Sequence, residues 1–586
     1  MQEQATSSSL APQSEVQEPS KLLIWQHFPE TASGEMEIVK RLARAVESAG
    51  WISEIVPLDR SLTLERLREL EAESAAALDI HFSTPKFTTL KSVGAVWTPL
   101  ALMEGWGFGQ VLSNQVSHDL LALTGSSVVD PLIEEMRLES DEFSRLNHGT
   151  DRQTASQVRN LIDPPQELHC LYTGINWDVH TGKPGRHDEV LRALDAQGLV
   201  TIHGPSSLNG LHPWKGFDGY AGPLPFDGRS VVEACRRAGV VLVWSSPQHR
   251  SEDIVSARLL EACAAGAVVL SDHNASVRRL MGDGALYVDL TQSAERIAQD
   301  VEDCVRRLEN DSSLLASCRQ ASLNLYDELC LDDQVAGLLN KLTSSASSPD
   351  LLSIRIQSPD DLNSSRSTLP VPTLNEIEVS ANHLTFKDLL RLANEHDCEY
   401  AIVSSGIEEW SFGVASRIRA LCDHMRVHAK TFGHLSCVEV KDSDQGLSSA
   451  IIPIDTGVAT PINGLIIDAR GRADGSSHVV DPVVSYRVPD RSLLAPVHHD
   501  SKTVTSLLSL QMELRRKELR LANSPWTAID LHRAGESVSS SLIDSVARAP
   551  RVERYRALQL LIASVPVLRR TIVRPYKKWA LRRGEA

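Results

Sequence analysis

A strand–loop–helix–strand unit at residues 240–270 is the feature that most restricts how this chain can fold. Residues 240–244 read Val-Val-Leu-Val-Trp, a β-branched apolar run that predicts a buried strand. The alanine-rich stretch 255–264 predicts a helix, Gly266 is placed to end it, and residues 267–270 predict the next strand. Such a unit pairs its strands in parallel, because the helix carries the chain back to the edge from which it started.

Polar residues follow the first of these strands, in the loop 245–253. Parallel sheets bind ligands at the carboxyl ends of their strands, and the free N–H groups of a helix N-terminus favour an anion such as a phosphate. Asp253 ends the loop, and Glu261 lies about two helical turns further on. A carboxylate there can accept hydrogen bonds from sugar hydroxyls while the loop faces a diphosphate. The alternative for Glu261 is a solvated position on an ordinary amphipathic helix.

The same alternation of strand and helix patterns divides the first 342 residues into two α/β domains. It begins at residue 21, after a Gln/Ser/Glu/Pro-rich leader at 1–20 that predicts disorder. A second series opens near residue 168 with the strand-like run Leu-His-Cys-Leu-Tyr. We therefore expect one Rossmann-like domain over 21–165 and another over 166–342.

Several short sequence motifs of the second domain are shared with a known family. They are Gly174-Ile-Asn-Trp177, Gly185-Arg-His187, Gly204-Pro205, the loop 220–228, Gly282-Asp-Gly284 and the acid pair followed by Ala-Cys-Ala-Ala-Gly-Ala. Over about residues 21–345 the chain resembles two-domain (GT-B) glycosyltransferases of the group 1 and spore-maturation type, in which the first acid is usually Glu rather than Asp253. The resemblance implies a cleft between the domains, a nucleotide-diphosphate sugar as donor, no cofactor and no metal.

The resemblance also places the donor-binding residues on the second domain. It implies that Glu261 holds the ribose hydroxyls, that Ser256 lies near the sugar and phosphates, and that Arg258 neutralises the diphosphate, although a surface ion pair is an equal alternative for Arg258. Asp253 either contacts the sugar, as in a retaining enzyme, or only caps the helix. The remaining expected donor contacts are His249, Arg250, Tyr220, Gly222, Asn176 and Lys183.

A general base is needed only if the reaction inverts the anomeric configuration. The first domain offers His27, Glu30, His81 and Asp119. His27 follows a predicted strand and His81 sits at the end of another, and an imidazole has a pKa suited to this work. These two are the catalytic candidates together with Asp253.

Composition excludes some other classes of protein. A net charge of −17 argues against nucleic-acid binding by the general surface. The nine cysteines contain no CxxC pair, which favours reduced core thiols over zinc sites or disulfides. The sequence shows neither a secretory signal nor an apolar run long enough to span a membrane, and we expect a cytoplasmic protein.

The part of the chain after residue 342 predicts a linker, an accessory domain and a basic tail. Residues 343–375 are rich in Ser, Pro and Asp and predict a linker. Residues 376–530 predict a smaller α/β domain that faintly resembles family 2 (GT-A) glycosyltransferases. Ser404-Ser-Gly406 stands where that family carries its metal-binding acidic triplet, and Ser and Gly cannot replace carboxylates as ligands of a hard cation. The resemblance therefore implies a degenerate domain that serves binding or assembly.

The tail, residues 531–586, is basic and amphipathic. Residues 548–586 contain eleven Lys or Arg against two Glu, interleaved with apolar residues. Such a segment can lie on the anionic inner face of a plasma membrane, where each basic residue contributes about 1 kcal/mol. Docking on the acidic body of the protein is the alternative.

From these features we expect a glycosyltransferase that moves a sugar from a nucleotide-diphosphate sugar to a cell-surface polysaccharide or a lipid-linked glycan. Two rival interpretations remain open at this point. A nucleotide-sugar 2-epimerase shares the fold, but such enzymes usually lack a third domain. A non-catalytic scaffold would use the α/β domains only to bind partners.

Overall fold

A computed structural model describes most of the first 343 residues and part of the remaining chain. The described residues are 20–30, 33–134, 143–180, 182–207, 210–343, 351–357, 375–380, 386–396, 399–404, 408–412, 414–427, 432–443, 446–451, 459–461, 465–468, 478–489, 496–498 and 504–506. The predicted disordered leader, except for Ser20, and the whole basic tail lie outside these ranges. No helix within them is both long enough and apolar enough to cross a membrane.

The first domain is built on a six-stranded parallel sheet with the order β2-β1-β3-β4-β5-β6. Its apolar strands are covered on both faces, as parallel sheets require. The elements are β1 (Lys21–Gln26), α1 (Gly34–Ser48), β2 (Ile52–Pro57), α2 (Leu64–Ala72), β3 (Ala76–Asp79), β4 (Lys91–Ala95), α3 (Leu100–Gln115), β5 (Leu120–Leu123), α4 (Asp130–Glu134), β6 (Phe143–Arg145) and α5 (Arg152–Leu161).

The second domain has a five-stranded parallel sheet with the order β11-β10-β9-β7-β8. The first nine of its strands and helices are β7 (His169–Thr173), α6 (Trp177–His180), α7 (Asp188–Ala196), β8 (Val200–His203), α8 (Ser230–Ala238), β9 (Gly239–Val243), α9 (Pro247–Ser251), α10 (Ala257–Ala265) and β10 (Val268–Ser271). The rest are α11 (Ala275–Met281), a 3-10 turn (Gly282–Gly284), β11 (Leu286–Tyr287), α12 (Ala294–Asn310), α13 (Ser312–Glu328) and α14 (Leu331–Thr343). Two Rossmann-like domains in this order are the GT-B architecture predicted from the sequence.

The unit at residues 240–270 folds as predicted, with one addition. β9, α10 and β10 form a parallel strand–helix–strand, and Gly266 ends α10 in the left-handed region with φ 62°. The polar loop between β9 and α10 contains the short helix α9. Ser246 caps that helix by accepting a hydrogen bond from the backbone N–H of His249 at 3.1 Å, and Pro247 stands at its first position, where a missing N–H costs nothing.

Helix α14 crosses from the second domain back to the first. Its residues Leu331, Val335, Leu338 and Leu339 are buried in one cluster with the core residues of β1, α1 and β3. Through α14 the chain therefore returns to the first domain, and a cavity lies between the two Rossmann-like domains.

The accessory region is a mixed sheet whose main path is β13-β12-β14-β19-β16-β20-β15. Its elements are β12 (Leu351–Gln357), β13 (Asn375–Ser380), α15 (Phe386–Asn394), β14 (Tyr400–Ser404), β15 (Glu409–Trp410), α16 (Val414–Val427), β16 (Phe432–Ser443), β17 (Gly446–Ile451), β18 (Ala459–Pro461), β19 (Leu465–Asp468), β20 (His478–Val488), β21 (Pro496–His498) and β22 (Val504–Ser506). The predicted linker is wrong over 351–357, because β12 pairs in parallel with both β13 and β14 inside this sheet. The GT-A resemblance stays a prediction.

The accessory sheet packs against the first domain through apolar residues. Val438 and Val440 of β16 and Val484 of β20 share one buried cluster with Trp25 and Leu67 of the first domain. The two units therefore have a common core, and the accessory sheet is an integral layer of the molecule rather than an appended module.

Buried charges join the same two units. The Arg487 guanidinium on β20 donates to both carboxylate oxygens of Glu71 on α2, at 2.9 and 2.8 Å, and pairs with Glu409. Lys86 of the first domain pairs with Asp119 at 2.6 Å and also contacts the hydroxyl of Ser411. Asp119, a general-base candidate from the sequence, is thus half of a buried structural ion pair.

Candidate functional site

A cavity of about 300 Å³ opens between the two Rossmann-like domains. The second domain supplies most of its wall, from the carboxyl ends of β7 and β8 and from the start of α10. The first domain supplies Gly34 and Glu37 at the start of α1. A mostly apolar cleft with a few converging polar groups, at the carboxyl ends of parallel strands, is the usual place for a ligand in such folds.

The N-terminus of α10 faces this cavity. Ala257 and Arg258, its first two residues, line the wall, so the free N–H groups and the positive end of the helix point toward a ligand there. Arg258 donates to the Trp244 carbonyl at 3.2 Å and lies over the ring of Tyr172. These two contacts hold the Arg258 charge at the cavity. The hydroxyl oxygen of Ser256, the residue before the helix, is buried and finds no hydrogen-bond partner among the described residues.

Glu261, one turn further along α10, is buried in the wall with 6% of its surface exposed. One of its carboxylate oxygens accepts from Arg41 at 3.0 Å, across the boundary between the domains. Arg41 also pairs with Glu37 at 3.3 Å and donates to the Gly228 carbonyl. Glu261 is therefore not the solvated residue of an ordinary amphipathic helix, and its alternative interpretation is wrong.

The opposite end of the cavity is formed by loops that follow β7 and β8. Asn176 lines it in the left-handed region, with φ 59°, and its amide donates to Asp188 at 3.2 Å. Arg186 also lines it and pairs with Asp178 at 3.2 Å. The last stretch of wall is apolar and is formed by Pro205, Pro223, Leu224, Phe226 and Val231.

Other residues predicted to bind the donor lie close to the cavity without lining it. Tyr220 donates to the Gly204 carbonyl at 2.9 Å, and Gly222, with φ 90°, accepts from the ring of His203, so both support residues of the wall. Arg250 pairs with the buried Asp272 at 3.2 Å. Lys183 is exposed in the loop before α7.

His249 is half-buried and does not line the cavity. Its ring contacts the Ser246 hydroxyl at 2.7 Å. Burial, with the nearby charges of Arg258 and Arg186, lowers the pKa of His249 to about 4, so the ring is neutral at physiological pH. Its direct contact with a donor stays a prediction.

Asp253 lies at a second contact between the domains and does not line the cavity. Its carboxylate accepts from the Ser127 hydroxyl at 2.5 Å and pairs with Arg279 at 2.7 Å, and its backbone is left-handed with φ 56°. Although burial opposes ionisation, these hydrogen bonds hold the pKa of Asp253 below its usual range. A group with these partners orients the loop between the domains, and the predicted sugar contact has no support in this geometry.

His27 lines a different cavity, of about 170 Å³, between the first domain and the accessory sheet, and the His81 ring lies 4.9 Å from the His27 ring. The wall of that cavity includes His27, Ser83 and Phe87 of the first domain and Leu447 and Ser449 of β17.

Within this cluster, His27 bonds Asp79 at 2.8 Å and Ser83 at 3.0 Å. Burial alone would lower the pKa of His27, but Asp79 outweighs it and raises that pKa. Burial and the charge of His27 lower the pKa of His81 to about 4. Glu30 is exposed in the loop after β1.

The charged residues at the cleft that the sequence did not indicate are Glu37, which lines the cavity, and Arg41, which pairs with Glu261. They are buried charges four residues apart on a helix whose neighbouring positions are apolar, and this is the only signal that the local sequence carries. Among the described residues there is no group of three His, Cys, Asp or Glu side chains arranged to hold a metal ion.

Taken together, the two facing Rossmann-like domains and the polar cleft between them form the GT-B arrangement expected from the sequence. Residues 186–326 match the family model described as glycosyl transferase-like. The match lies within the second domain and covers the cavity wall from Arg186 to Glu261. It confirms the resemblance found in the sequence, and the protein carries a glycosyltransferase domain. No curated protein matches the chain.

Three solved structures show the range of similar folds. A glycosyltransferase from Rickettsia africae is 10% identical with a TM-score of 0.37, and covers 56% of this chain and 100% of its own. The Anabaena protein HepE in complex with UDP and glucose is 11% identical with a TM-score of 0.37, at the same coverages. A sucrose-phosphate synthase from Thermosynechococcus elongatus is 11% identical with a TM-score of 0.36, and covers 55% and 98%.

Proposed function

We propose that this glycosyltransferase takes its sugar from a nucleotide-diphosphate sugar bound in the cavity between the two Rossmann-like domains. The observation that carries the proposal is the cavity wall, which brings Glu261, Arg258 and the N-terminus of α10 together. A carboxylate beside a helix N-terminus with an arginine suits a ribose joined to a diphosphate, because the hydroxyls need an acceptor and the phosphates need positive charge.

In this proposal the diphosphate leaves toward the second domain. Arg258 and the N–H groups at the start of α10 stabilise the charge that develops on it, and Arg186 adds a second positive charge from the loop before α7. The apolar stretch from Pro223 to Phe226 receives the nucleobase. The reaction invokes no cofactor and no metal ion.

Nucleotide-sugar binding tests the proposal directly. Titration calorimetry with nucleoside diphosphates and their sugars should identify a ligand, and Glu261→Ala should weaken its binding about 10- to 100-fold, since a buried hydrogen bond to a charged group contributes about 1.5 to 3 kcal/mol. Glu309→Ala is the matched control, because Glu309 is exposed on α12.

The same titrations separate the rival functions. If no nucleotide sugar binds and Glu261→Ala changes nothing, the transferase proposal fails and the scaffold interpretation remains. Conversion of the sugar to its 2-epimer without transfer to an acceptor, seen by NMR, would indicate the epimerase.

The proposed acceptor is a growing cell-surface polysaccharide or a lipid-linked glycan at the cytoplasmic face of the plasma membrane. The support is the family resemblance and the basic amphipathic segment 548–586, which lies outside the described residues. The full chain should pellet with vesicles containing phosphatidylglycerol, and a chain ending at residue 547 should pellet much less, because the charge attraction is gone. Equal pelleting, or no change at high salt, would exclude the membrane contact.

A further inference from the structure

The cavity between the first domain and the accessory sheet shares no lining residue with the cavity between the two Rossmann-like domains. Ser83 and His27 both line it, from the loops that follow β3 and β1 at the carboxyl ends of these strands. A hydroxyl beside an imidazole in a cleft is the arrangement that nucleophilic catalysis needs, provided that a third group orients the imidazole.

Asp79 is that third group. Its Oδ1 atom lies 2.8 Å from Nε2 of His27, and the carboxylate also accepts from the His81 backbone N–H at 2.8 Å and from the Thr84 hydroxyl at 3.1 Å. Although burial opposes ionisation, the charge of His27 and these hydrogen bonds hold the pKa of Asp79 below its usual range. An ionised carboxylate can only accept, so Nε2 of His27 carries a proton and Nδ1 of the neutral ring is the acceptor. Burial lowers the pKa of His27, but the charge of Asp79 outweighs it and raises that pKa, which makes the ring a stronger base.

The acceptor nitrogen of His27 faces the hydroxyl of Ser83. Nδ1 lies 3.0 Å from Oγ, and Ser83 is exposed, so a ligand can reach the hydroxyl. His81 holds Ser83 from another direction, because its Nδ1 atom accepts from the Ser83 backbone N–H at 3.1 Å and lies 2.8 Å from Oγ. Burial and the charge of His27 lower the pKa of His81 to about 4, so this ring is too weak a base to compete with His27 for the proton.

Ser83, His27 and Asp79 thus stand in the order nucleophile, base and orienting acid. The ring of His27 is turned relative to serine proteases, with Nε2 toward the acid and Nδ1 toward the hydroxyl, and either nitrogen can take and return a proton. Thr84 follows Ser83 and also lines the cavity, and its backbone N–H donates to no other described residue. The N–H after a nucleophilic serine commonly stabilises the oxyanion.

The walls of this cavity fit a small ester. Its volume of about 170 Å³ is below the roughly 300 Å³ at which pockets for drug-sized ligands begin. The polar residues Asp59 and Ser449 can bind hydroxyl groups of an alcohol, and the apolar part of the wall, which suits an acyl chain of a few carbons, is Phe28, Leu58, Leu62, Phe87 and Leu447. The accessory sheet meets the first domain closely here, since a Cβ atom on Gly446 of β17 would lie 2.4 Å from the Asp59 carbonyl oxygen.

We propose that Ser83, His27 and Asp79 form a second active site, which hydrolyses esters of short carboxylic acids. The Ser83 oxygen bonds to the ester carbonyl carbon as its proton passes to Nδ1 of His27, and the carbonyl electron pair moves onto oxygen. When that pair returns, the bond to the alcohol breaks and the alcohol takes the proton from His27. Water then attacks the acyl-enzyme in the same way, which releases the acid and returns a proton to Ser83. Asp79 and His81 are positioning residues in this scheme.

Hydrolysis of p-nitrophenyl acetate, butyrate and octanoate by the full-length protein tests the proposal. The first two esters should be hydrolysed, and the octanoate about tenfold more slowly or less, because its chain exceeds the cavity. Ser83→Ala should lower kcat/KM for the acetate about 100-fold or more, since the nucleophile is gone. Ser313→Ala, an exposed position on α13, is the matched control and should leave the rate unchanged.

Two chemical readouts follow the nucleophile itself. A fluorophosphonate should attach to Ser83, as located by mass spectrometry of peptides, and His27→Gln should slow the attachment about 100-fold, because the base no longer takes the proton. Ser83→Cys should react with iodoacetamide about tenfold faster than Ser313→Cys, because the imidazole beside it favours the thiolate. This second comparison retains His27 and Asp79 and removes no buried side chain.

Several results would overturn the second active site. They are hydrolysis that Ser83→Ala leaves intact, attachment of the fluorophosphonate to other residues only, and no hydrolysis of any of the three esters. Equal reactivity of the two cysteine variants would show that His27 does not activate position 83. Donor binding is measured separately, so a failure of the proposed transferase function would leave this site in place.

Discussion

At the scale of single residues, the cleft depends on places where no side-chain atom can be added. Gly204 lines the cavity, and a Cβ atom there would lie 2.2 Å from the Gly174 carbonyl oxygen and 2.3 Å from the indole nitrogen of Trp214. Both neighbours belong to the second domain, and the first is main chain. The role of Gly204 is therefore space rather than unusual backbone dihedrals.

Gly204→Ala should weaken donor binding. The Gly174 carbonyl must move, which shifts the wall formed by Gly174 and Asn176, and we expect the Kd to rise about tenfold or more, equivalent to about 1.4 kcal/mol. Gly337→Ala is the control, because a Cβ on Gly337 meets open space and alanine is the better helix former. Calorimetry that gives equal affinities for the two variants would show that the wall adapts without cost.

At the scale of elements, local sequence signals predicted the strands and helix ends that depend on neighbouring residues. The apolar runs of β9 and β10 and the glycine after α10 are short-range features, and all three appear where the pattern indicated. β12 was missed because Ser, Pro and Asp surround it and hide the short alternating run Leu-Ser-Ile-Arg-Ile. The strand exists because β13 and β14 pair with both its edges, and that pairing is not encoded within residues 351–357.

The residues of the candidate site likewise divide into those that local sequence predicts and those that depend on distant parts of the chain. Glu261 and Arg258 were predictable because helix and loop are contiguous in sequence. Glu37 and Arg41 were not, since their partner Glu261 is 220 residues beyond Arg41. His27 was predicted as a general base from its position after β1, but it lines a separate cavity whose wall includes residues of the accessory sheet.

At the scale of the whole molecule, the first domain contacts three other parts of the chain. The second domain faces it across the cleft, α14 completes one of its cores, and the accessory sheet completes another. The first domain, α14 and the accessory sheet thus form one packed body.

Arg487→Met tests how firmly that body is joined. The substitution leaves the Glu71 side chain, which is 7% exposed, without its cation, whereas Glu409 keeps its pair with Arg68. We expect a loss of about 3 to 5 kcal/mol in the free energy of unfolding. Calorimetry should show the accessory region melting before the first domain instead of together with it.

Lys441→Met is the matched control for this change. Lys441 is exposed on β16 and pairs with Glu439 at 3.4 Å, so its loss should cost less than about 0.5 kcal/mol. Similar melting curves for the two variants would show that the Arg487 network adds little to the interface.

The shared core of Trp25, Leu67, Val438 and Val484 also bears on how the protein is made. The first two of these residues leave the ribosome several hundred residues before the last two. At about 5 to 20 residues per second, the first domain waits on the order of tens of seconds with an apolar face uncovered. During synthesis that face is a target for chaperones, and a transcript cut short after the second domain would yield a protein that aggregates through it.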